Sequence, residues 1–490
     1  MGIKRQRTLA DFGISETRSL QIRSRQSSFG SSQDPIVVEE DEGKVQEIRC
    51  PLCNADITHL EIYMKEAHAQ RCLDKQPEPK KPKMRPPLPV TKIVKLFSMQ
   101  VVVDGFAFDR HRDIEHYFLS HFHSDHYGGL KKSWTNGIIY ASGITINLVK
   151  DKFKIDESRL RPLPMNEKIW ITDKVSVVLL DANHCPGAVV FLFQEHENDG
   201  VVKTVLHTGD FRANRTLINE VRQWAPRLDE IYLDTTYLIP GFHFPSQESV
   251  LEVTSKFARD LVDRGFQSIF QNDQKSIVNY TSQSPKLYKL LFLVGTYTIG
   301  KEKLAISLAQ ALGTKIFVPL GTPRHKMISQ YIGYFPSGLI THDVKESCVH
   351  LVPLSTLNSK QSIQSYFQKY NDIYEDLVGF IPTGWTFTNK WARRPEFPTI
   401  SSRMDYCREV LYNTQDAFDI DFVLRQFKKY QRFQVFKVPY SEHSSFKDLV
   451  NFGCSVDYRT IWATVNLHNI TEMNEWFNTW RNMRNDNTIC

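Results

Sequence analysis

The sequence predicts a mixed α/β protein with a small metal-binding unit on its N-terminal side, and three observations support this prediction. Short apolar stretches typical of strands alternate with polar turns from about residue 93 onward, and helix-like stretches follow them. Cysteine and histidine cluster within residues 50–72. The 490 residues exceed the roughly 250–300 that one hydrophobic core accommodates, so several domains are expected.

Three segments precede the folded body. Residues 1–45 are rich in Ser, Arg, Gln and acidic side chains, which bury too little apolar surface to offset chain entropy, so they are predicted to be a disordered arm. Residues 46–75 hold the Cys/His cluster. Residues 76–92 are dense in proline and lysine, and because proline disrupts helices and sheet interiors they are predicted to be a linker.

Charge and composition exclude several classes of protein. The net charge is +6, but residues 1–100 carry 17 basic and 13 acidic side chains, so they account for four of those charges and the remaining residues are nearly neutral. Net charge alone therefore does not indicate nucleic-acid binding. No apolar run approaches the roughly 18 residues that cross a bilayer, and no secretory signal is present, so we expect a soluble intracellular protein without a membrane partner. Single cysteines outside the cluster indicate a reducing compartment.

Two short segments of the arm and one of the linker suggest interactions. The stretch from Gln6 to Phe12 has the spacing of a sliding-clamp-binding peptide, and the run from Ile36 to Val38 before acidic residues is typical of a SUMO-interacting strand. A chance pattern and a stray apolar patch are the respective alternatives. The basic cluster ending at Arg85 is a candidate nuclear import signal, which predicts localisation in the nucleus, although a solvated spacer also needs lysines.

The Cys/His cluster predicts a structural zinc site. Cys50, Cys53, His68 and Cys72 have the spacing C-x2-C-x14-H-x3-C, in which the last two ligands share one helix face. Four protein ligands close the tetrahedron, so the zinc supplies folding energy rather than chemistry. Reduced cysteines in a flexible segment are the alternative. The stretch resembles the ubiquitin-binding zinc fingers of DNA-repair proteins, which implies ubiquitin or ubiquitinated proteins as partners.

A second His/Asp pattern predicts a catalytic metal site. The string His-Phe-His-Ser-Asp-His at residues 121–126 follows an apolar strand and offers three imidazoles and a carboxylate from one loop. His184 lies in a turn between two apolar strands, and Asp210 lies at a strand exit where it could bridge two ions. Asp104, after another strand, could orient the loop through hydrogen bonds. Each residue alone is compatible with turn chemistry, but together they predict a two-metal site.

Residues 95–470 resemble the metallo-β-lactamase superfamily, specifically its β-CASP branch and the DNA interstrand cross-link repair nucleases related to Artemis and Apollo. The motifs that carry the resemblance are Asp104 and residues 121–126, 181–188, 206–212, 233–237, 295–303, 378–385, 438–446 and 463–466. The resemblance implies an αββα metallo-β-lactamase sandwich with an inserted β-CASP domain. Its first part spans 93–240, the β-CASP domain spans 241–430, and the chain returns to the core at 431–490.

The same resemblance implies the ligands of two ions. One ion is held by His121, His123, His184 and Asp210. The other is held by Asp125, His126, Asp210 and His443. Asp234 supports the site, and the residues expected to serve catalysis are Asp125, His126, Asp210, Asp234 and His443. Zinc suits imidazole ligands, at one or two ions per site, and magnesium or manganese could support activity.

The activity implied is a 5′-phosphate-dependent 5′→3′ DNA exonuclease in interstrand cross-link repair. Two ions lower the pKa of a bridging water and neutralise the scissile phosphate, so that hydroxide attacks in line. Val465 stands where RNA-processing members have histidine and DNA-directed members have valine, which favours DNA. Thr298, Gly300 and Lys301 precede an expected helix and are candidate contacts of the 5′ phosphate, with an ordinary surface helix start as the alternative.

Other interpretations stay open. The first is a β-CASP RNA endonuclease, and the second is an inactive scaffold recruited through ubiquitin. Small-molecule hydrolysis is disfavoured by the long insert after Asp234. Basic residues near the predicted site either contact a nucleic-acid backbone or are solvated; they are Lys131, Lys132, Arg212 and Arg215.

Overall fold

The computed structural model describes residues 55–57, 68, 85–198, 200–242, 244–265, 289–384, 396–412, 418–427 and 432–486. The chain divides into two units, residues 1–79 and 80–490. In the first unit the description covers only residues 55–57 and His68, which is helical and half-buried. The predicted arm, its two peptide segments, and Cys50, Cys53 and Cys72 lie outside the described residues.

The second unit is built from short strands and helices. The strands are β1 (Ile93–Lys95), β2 (Gln100–Val103), β3 (His116–Phe118), β4 (Ile138–Ser142), β5 (Leu160–Leu163), β6 (Ile169–Trp170), β7 (Val175–Asp181), β8 (Val189–Glu197), β9 (Gly200–His207), β10 (Leu228–Leu233), β11 (Leu290–Thr296), β12 (Ile316–Phe317), β13 (Ile340–Thr341), β14 (Val349–Pro353), β15 (Asp376–Pro382), β16 (Phe433–Val438) and β17 (Tyr458–Ala463). The helices are α1 (Ser124–Tyr127), α2 (Gly143–Phe153), α3 (Arg215–Trp224), α4 (Gln247–Arg264), α5 (Glu302–Leu312), α6 (Pro323–Ser329), α7 (Lys360–Phe367), α8 (Ile400–Tyr412), α9 (Ile420–Leu424), α10 (Phe446–Ser455) and α11 (Ile470–Asn485).

Two sheets pack face to face. Sheet A has the strand order β1-β2-β3-β4-β5, and sheet B has the order β17-β10-β9-β8-β7-β6. Alternate side chains of both sheets fill the space between them, since successive residues of a strand point to opposite faces. Phe118 of β3 packs edge-on against Phe191 and Phe193 of β8, with ring centroids 5.2 and 4.9 Å apart. Burying each such side chain stabilises the fold by about 1.5–3 kcal/mol.

Helices cover the outer faces of both sheets. Helix α2 packs on sheet A and buries Val149, whereas helix α3 packs on sheet B and buries Val221. Each helix begins where a side chain caps it: Ser142 accepts a hydrogen bond from an amide of the first turn of α2, and Asn214 does the same for α3. The layers therefore run helix, sheet, sheet, helix, and the predicted α/β sandwich is confirmed.

A third sheet is inserted into the sandwich. Sheet C has the order β13-β12-β14-β11-β15-β16, and each neighbouring pair is parallel. Strands β11 and β15 are buried along their whole length, as expected for parallel strands covered on both faces. Helices α4 and α5 pack against each other beside this sheet. In sequence, sheet C lies between β10 and β17, which are neighbours in sheet B.

The chain returns to the sandwich after β16. This strand lies within the predicted return segment 431–490, yet it pairs with β15 of sheet C, so the return begins after Val438. Strand β17 then pairs in parallel with β10, with Ala463 opposite Leu233. This pairing brings the carboxyl ends of β10 and β17 to the same edge of sheet B.

The described end of the linker is attached to the sandwich. Arg85, the described member of the predicted import cluster, donates hydrogen bonds to the carbonyls of Phe106 and Gly129, each at 3.2 Å. In the described part of the chain, no helix combines the length and apolarity that a membrane span requires.

The histidine of β14 provides a test of the packing in sheet C. His350 is fully buried, its Nδ1 and Nε2 lie 3.0 and 3.4 Å from the hydroxyls of Tyr366 and Tyr374, and the rings of Phe317 and Tyr370 pack on it. Burial lowers the pKa of His350 from 6.5 to about 3. Below pH 6.5 the unfolded chain therefore binds a proton at this histidine and the folded protein does not. The free energy of unfolding consequently decreases as the pH is lowered.

We expect His350→Phe to reduce the pH dependence of folding. For the native protein, this one residue should lower the free energy of unfolding by about 2 kcal/mol between pH 7 and pH 5, since each pH unit below the unfolded pKa costs about 1.4 kcal/mol. Urea unfolding at both pH values measures the difference, and His468→Phe, at an exposed site, is the control. Equal pH dependence in His350→Phe and the native protein would contradict this assignment.

Candidate metal centre

The predicted ligand residues follow strand ends, either in loops or in the short helix α1. Residues 121–126 follow β3, His184 lies between β7 and β8, Asp210 follows β9, and His443 follows β16. Parallel strands place their carboxyl ends at one edge, so loops far apart in sequence meet there. Three groups of side chains have ligand atoms within 4.8 Å of one another: His121 with His123 and His184, His121 with His126 and Asp210, and His184 with Asp210 and His443.

Asp104 fixes the loop that carries most of the histidines. Its carboxylate accepts hydrogen bonds from the amide of Ser120 at 2.8 Å, the hydroxyl of Ser120 at 2.7 Å and Nδ1 of His126 at 2.8 Å. The residue is buried and has a left-handed backbone, with φ of +51°, which non-glycine residues seldom adopt. A strained residue that receives three hydrogen bonds holds the start of the 121–126 loop in one position.

Hydrogen bonding determines which nitrogen of His121 bears hydrogen. The hydroxyl of Ser120 has one hydrogen, which it donates to Asp104, so at 2.9 Å from His121 Nδ1 it acts as the acceptor. His121 Nδ1 therefore carries the proton. His121 Nε2 is buried without a hydrogen-bond partner among the described residues. It presents a lone pair to the interior of the site.

His123 and His184 are oriented in the same way by main-chain carbonyls. His123 Nε2 lies 3.3 Å from the carbonyl of Ile299, and His184 Nδ1 lies 2.9 Å from the carbonyl of Glu442. A carbonyl only accepts, so each of these nitrogens is the donor. The remaining nitrogens, His123 Nδ1 and His184 Nε2, face each other at 3.1 Å. Neutral rings in these tautomers point two lone pairs at each other.

This arrangement fits a bound metal ion. Lone pairs of His121, His123 and His184 converge, and their mutual repulsion is relieved when a cation accepts them. Two imidazole nitrogens that bind zinc at about 2.0–2.1 Å in a tetrahedron lie about 3.3 Å apart, close to the 3.1 Å between His123 and His184. Neutral imidazoles suit zinc among the common biological ions. The residues present therefore form a site that could hold such an ion.

Asp210 lies close to three histidines, namely His121, His126 and His443. Its Oδ2 atom is 3.2 Å from His126 Nε2, 3.7 Å from His121 Nε2 and 4.0 Å from His443 Nε2. Because one carboxylate oxygen faces nitrogens of His121, His126 and His443, Asp210 would be within reach of any ion that these histidines hold.

His443 depends on Asp234. His443 Nδ1 donates to Asp234 Oδ2 at 2.9 Å, which leaves Nε2 facing Asp210. The carboxylate of Asp234 also accepts from the amides of Phe211 and Thr236, at 3.3 and 2.9 Å. Asp234 is thus buried among donors, and it orients His443 as Asp104 orients His126.

The pKa values reflect the same contacts. Burial holds the pKa of His121 well below its usual range, so this ring is neutral. Burial alone would raise the pKa of Asp210, but His126 and other histidines hold it well below its usual value, so the carboxylate is ionised. Neutral imidazole and ionised carboxylate are the forms that bind metals. Burial lowers the pKa values of His126 and His443, but neighbouring carboxylates raise them above 6.5, that of His443 to about 9, so these two rings bind a metal ion only with loss of a proton.

The other predicted site residues differ in how they relate to these groups. Asp125 belongs to none of the three; its Oδ2 is 3.6 Å from His126 Nε2 and its side chain is 59% exposed. Val465 is half-buried, and its carbonyl accepts from the hydroxyl of Thr235 at 2.8 Å.

The three candidate phosphate contacts precede helix α5. Thr298 is exposed, whereas the amide of Gly300 donates to Glu302 and the amide of Lys301 donates to Glu442. Two of these amides therefore already bond to carboxylates of the chain itself.

Several contacts were missed at the sequence level. Ser120, Ile299 and Glu442 orient ligand histidines, and two of them act through main-chain carbonyls, which no residue pattern reveals. Arg212 is buried rather than free to contact a nucleic acid, and its guanidinium binds Asp448 and the carbonyls of Ser441 and Pro245. Its position directly after Asp210-Phe211 was a signal of a structural role beside the site.

Comparison with known proteins identifies the family. Residues 334–469 match a family model described as DNA repair metallo-beta-lactamase. The chain is 39% identical to the DNA cross-link repair protein PSO2/SNM1 of Saccharomyces cerevisiae, in an alignment that covers 92% of this chain and 80% of the yeast protein. The chain belongs to the DNA cross-link repair metallo-β-lactamase family. The sandwich of sheets A and B agrees with the metallo-β-lactamase fold of this family.

Other members of the family and one solved structure are more distant. The pso2/snm1 protein of Schizosaccharomyces pombe is 33% identical over 78% of this chain and 63% of its own length. The 5' exonuclease Apollo of Gallus gallus is 32% identical over 44% of this chain and 41% of its own length. An isothiocyanate hydrolase from Delia radicum gut bacteria matches 34% of this chain and 76% of its own, with a TM-score of 0.25 and 14% identity.

The loop that carries Asp210 in this family member provides a second test. Gly209 has φ of +55°, and a Cβ atom there would lie 2.6 Å from Cβ of Ser120, the residue that orients His121. Gly313 has φ of +63° but open space around its Cα. Gly313→Ala should therefore cost only the left-handed backbone term, about 1–2 kcal/mol.

We expect Gly209→Ala to destabilise the protein by a further 1–3 kcal/mol or so, since the added methyl overpacks a closed site. Urea unfolding of both variants in the presence of a chelator measures this difference without a contribution from metal binding. If the two alanine variants lose the same free energy of unfolding, Gly209 does not pack against Ser120 as described.

Proposed function

We propose that this chain is a metal-dependent DNA nuclease, a 5′-phosphate-dependent 5′→3′ exonuclease that acts in interstrand cross-link repair. The observation that carries the proposal is the convergence of the His121, His123 and His184 lone pairs beside the shared carboxylate of Asp210. Membership of the DNA cross-link repair family supports DNA as the substrate. The name of the related chicken 5' exonuclease Apollo supports the polarity.

The proposed ligand sets divide the site in two. One ion would be held by His121, His123, His184 and Asp210, and the other by Asp125, His126, Asp210 and His443. Zinc is the proposed metal, and magnesium or manganese could support activity. When bound, the ions supply an activated water and neutralise the charge of the scissile phosphate. The chain's own contribution is to hold the imidazoles in their ligand tautomers through Asp104, Asp234 and the main-chain carbonyls.

The residues around Val465 favour DNA over RNA. Its loop is tied to the loop after Asp234, because Thr235 donates to the Val465 carbonyl and Asn466 donates to the carbonyls of Thr235 and Thr236. A valine side chain offers no donor or acceptor for a 2′-hydroxyl, which is the group that distinguishes RNA from DNA. Thr298 is the exposed member of the three proposed contacts of the 5′ phosphate, and Gly300 and Lys301 are buried.

The proposal extends to recruitment. The finger of Cys50, Cys53, His68 and Cys72 would bind structural zinc and attach the nuclease to ubiquitinated proteins in the nucleus. The segments at residues 6–12 and 36–38 would add contacts to a sliding clamp and to SUMO.

A nuclease assay on three matched single strands tests the activity. We expect 5′-phosphorylated DNA to be shortened from its 5′ end, and 5′-hydroxyl DNA to react about tenfold to a hundredfold more slowly, since charged hydrogen bonds contribute about 1.5–3 kcal/mol. A chelator and Asp210→Asn should each reduce the rate by at least about a hundredfold, because loss of a ligand exceeds the cost of losing an outer partner. Asp173→Asn, at an exposed turn, is the control.

The same assay separates the alternatives. Faster internal cleavage of 5′-phosphorylated RNA would identify an RNA endonuclease. Absence of chelator-sensitive hydrolysis of any strand, in a preparation that binds ubiquitin, would identify a scaffold and refute the nuclease proposal.

A double substitution in the full chain tests the finger. Cys50→Ser with Cys53→Ser should abolish capture by immobilised ubiquitin and remove one zinc per chain, because two of four ligands are lost. DNA cleavage in vitro should remain, since the catalytic residues belong to a separate unit. Asp125→Ala is the reciprocal control, and it should abolish cleavage while leaving ubiquitin capture intact. Unchanged ubiquitin capture by the serine variant would eliminate the proposed finger.

A further inference from the structure

Glu442 contacts both sides of the metal centre. The residue directly precedes His443, and it is buried, with 5% of its surface exposed. Its main-chain carbonyl accepts the hydrogen bond from His184 Nδ1 at 2.9 Å. Its carboxylate points the other way, and Oε1 accepts from the amide of Lys301 at 2.6 Å. One residue therefore connects a ligand histidine to the loop before helix α5.

The loop that Glu442 binds orients a second ligand. Ile299, two residues before Lys301, is buried, and its carbonyl lies 3.3 Å from His123 Nε2. Its position depends on the backbone of Gly300 and Lys301, which have φ of +102° and +72°. Successive positive φ values are seldom adopted, so the surrounding contacts must hold this turn in place.

On the side of the sandwich, the side-chain carboxylate of Glu442 binds the main chain of that turn. A Cβ atom on Gly300 would lie 2.8 Å from Glu442 Oε2, so the carboxylate packs directly on the glycine. From the side of sheet C, Glu302 accepts from the Gly300 amide at 3.0 Å, and Arg324 donates to the carbonyl of Tyr297 at 2.8 Å. The loop is thereby held between sheet C and the loop that carries His443.

We propose that Glu442 is a positioning residue of the metal centre: its carboxylate fixes the turn that aims the Ile299 carbonyl at His123, and its own carbonyl aims His184. Two of the three imidazoles of the group with His121 thus depend on one residue, His123 through the Glu442 carboxylate and His184 through the Glu442 main-chain carbonyl. The same residue links the β-CASP insertion to the sandwich. This inference rests on the proposed metal centre. It predicts that Glu442 governs one ion and leaves the other, centred on His126 and His443, largely unaffected.

The test measures zinc affinity in the full chain by competition with a chromophoric chelator. All proteins carry Cys50→Ser and Cys53→Ser, so that the finger takes no zinc. Glu442→Ala should weaken one of two zinc ions about 10–100-fold, the usual cost of losing an outer partner of a ligand. Glu442→Gln should bind both ions within about threefold of the parent, because its amide oxygen still accepts from the Lys301 amide.

A matched control distinguishes positioning from general stability. Glu195 is also a buried carboxylate that accepts two main-chain amides, those of Phe97 and Ser98, but it lies six residues along β8 from Val189, roughly 20 Å from that end of the strand. Glu195→Ala should lower the melting temperature and leave both zinc affinities unchanged. If Glu442→Ala is poorly folded, Gly300→Ala displaces the same carboxylate and should weaken the same ion.

The outcomes separate this inference from the proposed function. If the parent binds two ions and Glu442→Ala binds both of them with the affinities of the parent, the proposed role of Glu442 is overturned and the metal centre stands. Equal losses in Glu442→Gln and Glu442→Ala would also overturn it, because the hydrogen bond would then not be what matters. If neither the parent nor His184→Ala takes up zinc at the centre, the metal centre itself fails.

Discussion

The orientation of the imidazole rings is the constraint on which the rest of this structure depends. A metal-binding histidine almost always donates its other ring N–H to an acceptor. Each proposed ligand ring has such an acceptor: Ser120 for His121, carbonyls for His123 and His184, and carboxylates for His126 and His443. The result is a set of lone pairs that converge on a small volume. Without a cation that arrangement is repulsive, and with one it is stabilising.

The topology of the chain supplies those acceptors. Sheet C is inserted between β10 and β17, so the chain leaves the sandwich beside Asp234 and comes back beside His443. The insertion also delivers the loop whose Ile299 carbonyl contacts His123. Arg212 also holds this segment in place, because its guanidinium donates a hydrogen bond to the carbonyl of Ser441, two residues before His443. The proposed metal centre therefore draws its orienting contacts from both the insertion and the sandwich.

Backbone strain accompanies this assembly. Asp104, Asn183, Lys301 and Asn466 all have φ between +51° and +72°, and each lies in a loop at or beside the site. Non-glycine residues in the left-handed region cost stability, which the hydrogen bonds around them offset. Asp104 receives three such bonds. The site is therefore stabilised by the same contacts that fix its geometry.

The sequence by itself determined the α/β class, several of the strands and the residue types of the centre. Short apolar runs between polar turns mark β7, β8 and β10, because both the run and its flanking turns are local features of the sequence. The string at residues 121–126, with His184 and Asp210, was recognisable because metals select side chains by type, and the family resemblance added His443. Six of these seven predicted ligands fall into three groups whose ligand atoms lie within 4.8 Å of one another. Asp125 does not belong to those groups.

Only the tertiary structure decided how those side chains are oriented and which neighbours orient them. The carbonyls of Ile299 and Glu442 act through the main chain, which every residue possesses, so no sequence pattern marks them. The membership of β16 in sheet C and the burial of Arg212 depend on pairings between distant segments. Residue type is a property of the sequence. The tautomers of His123 and His184 are instead set by carbonyls more than a hundred residues away along the chain, and only folding brings these groups together.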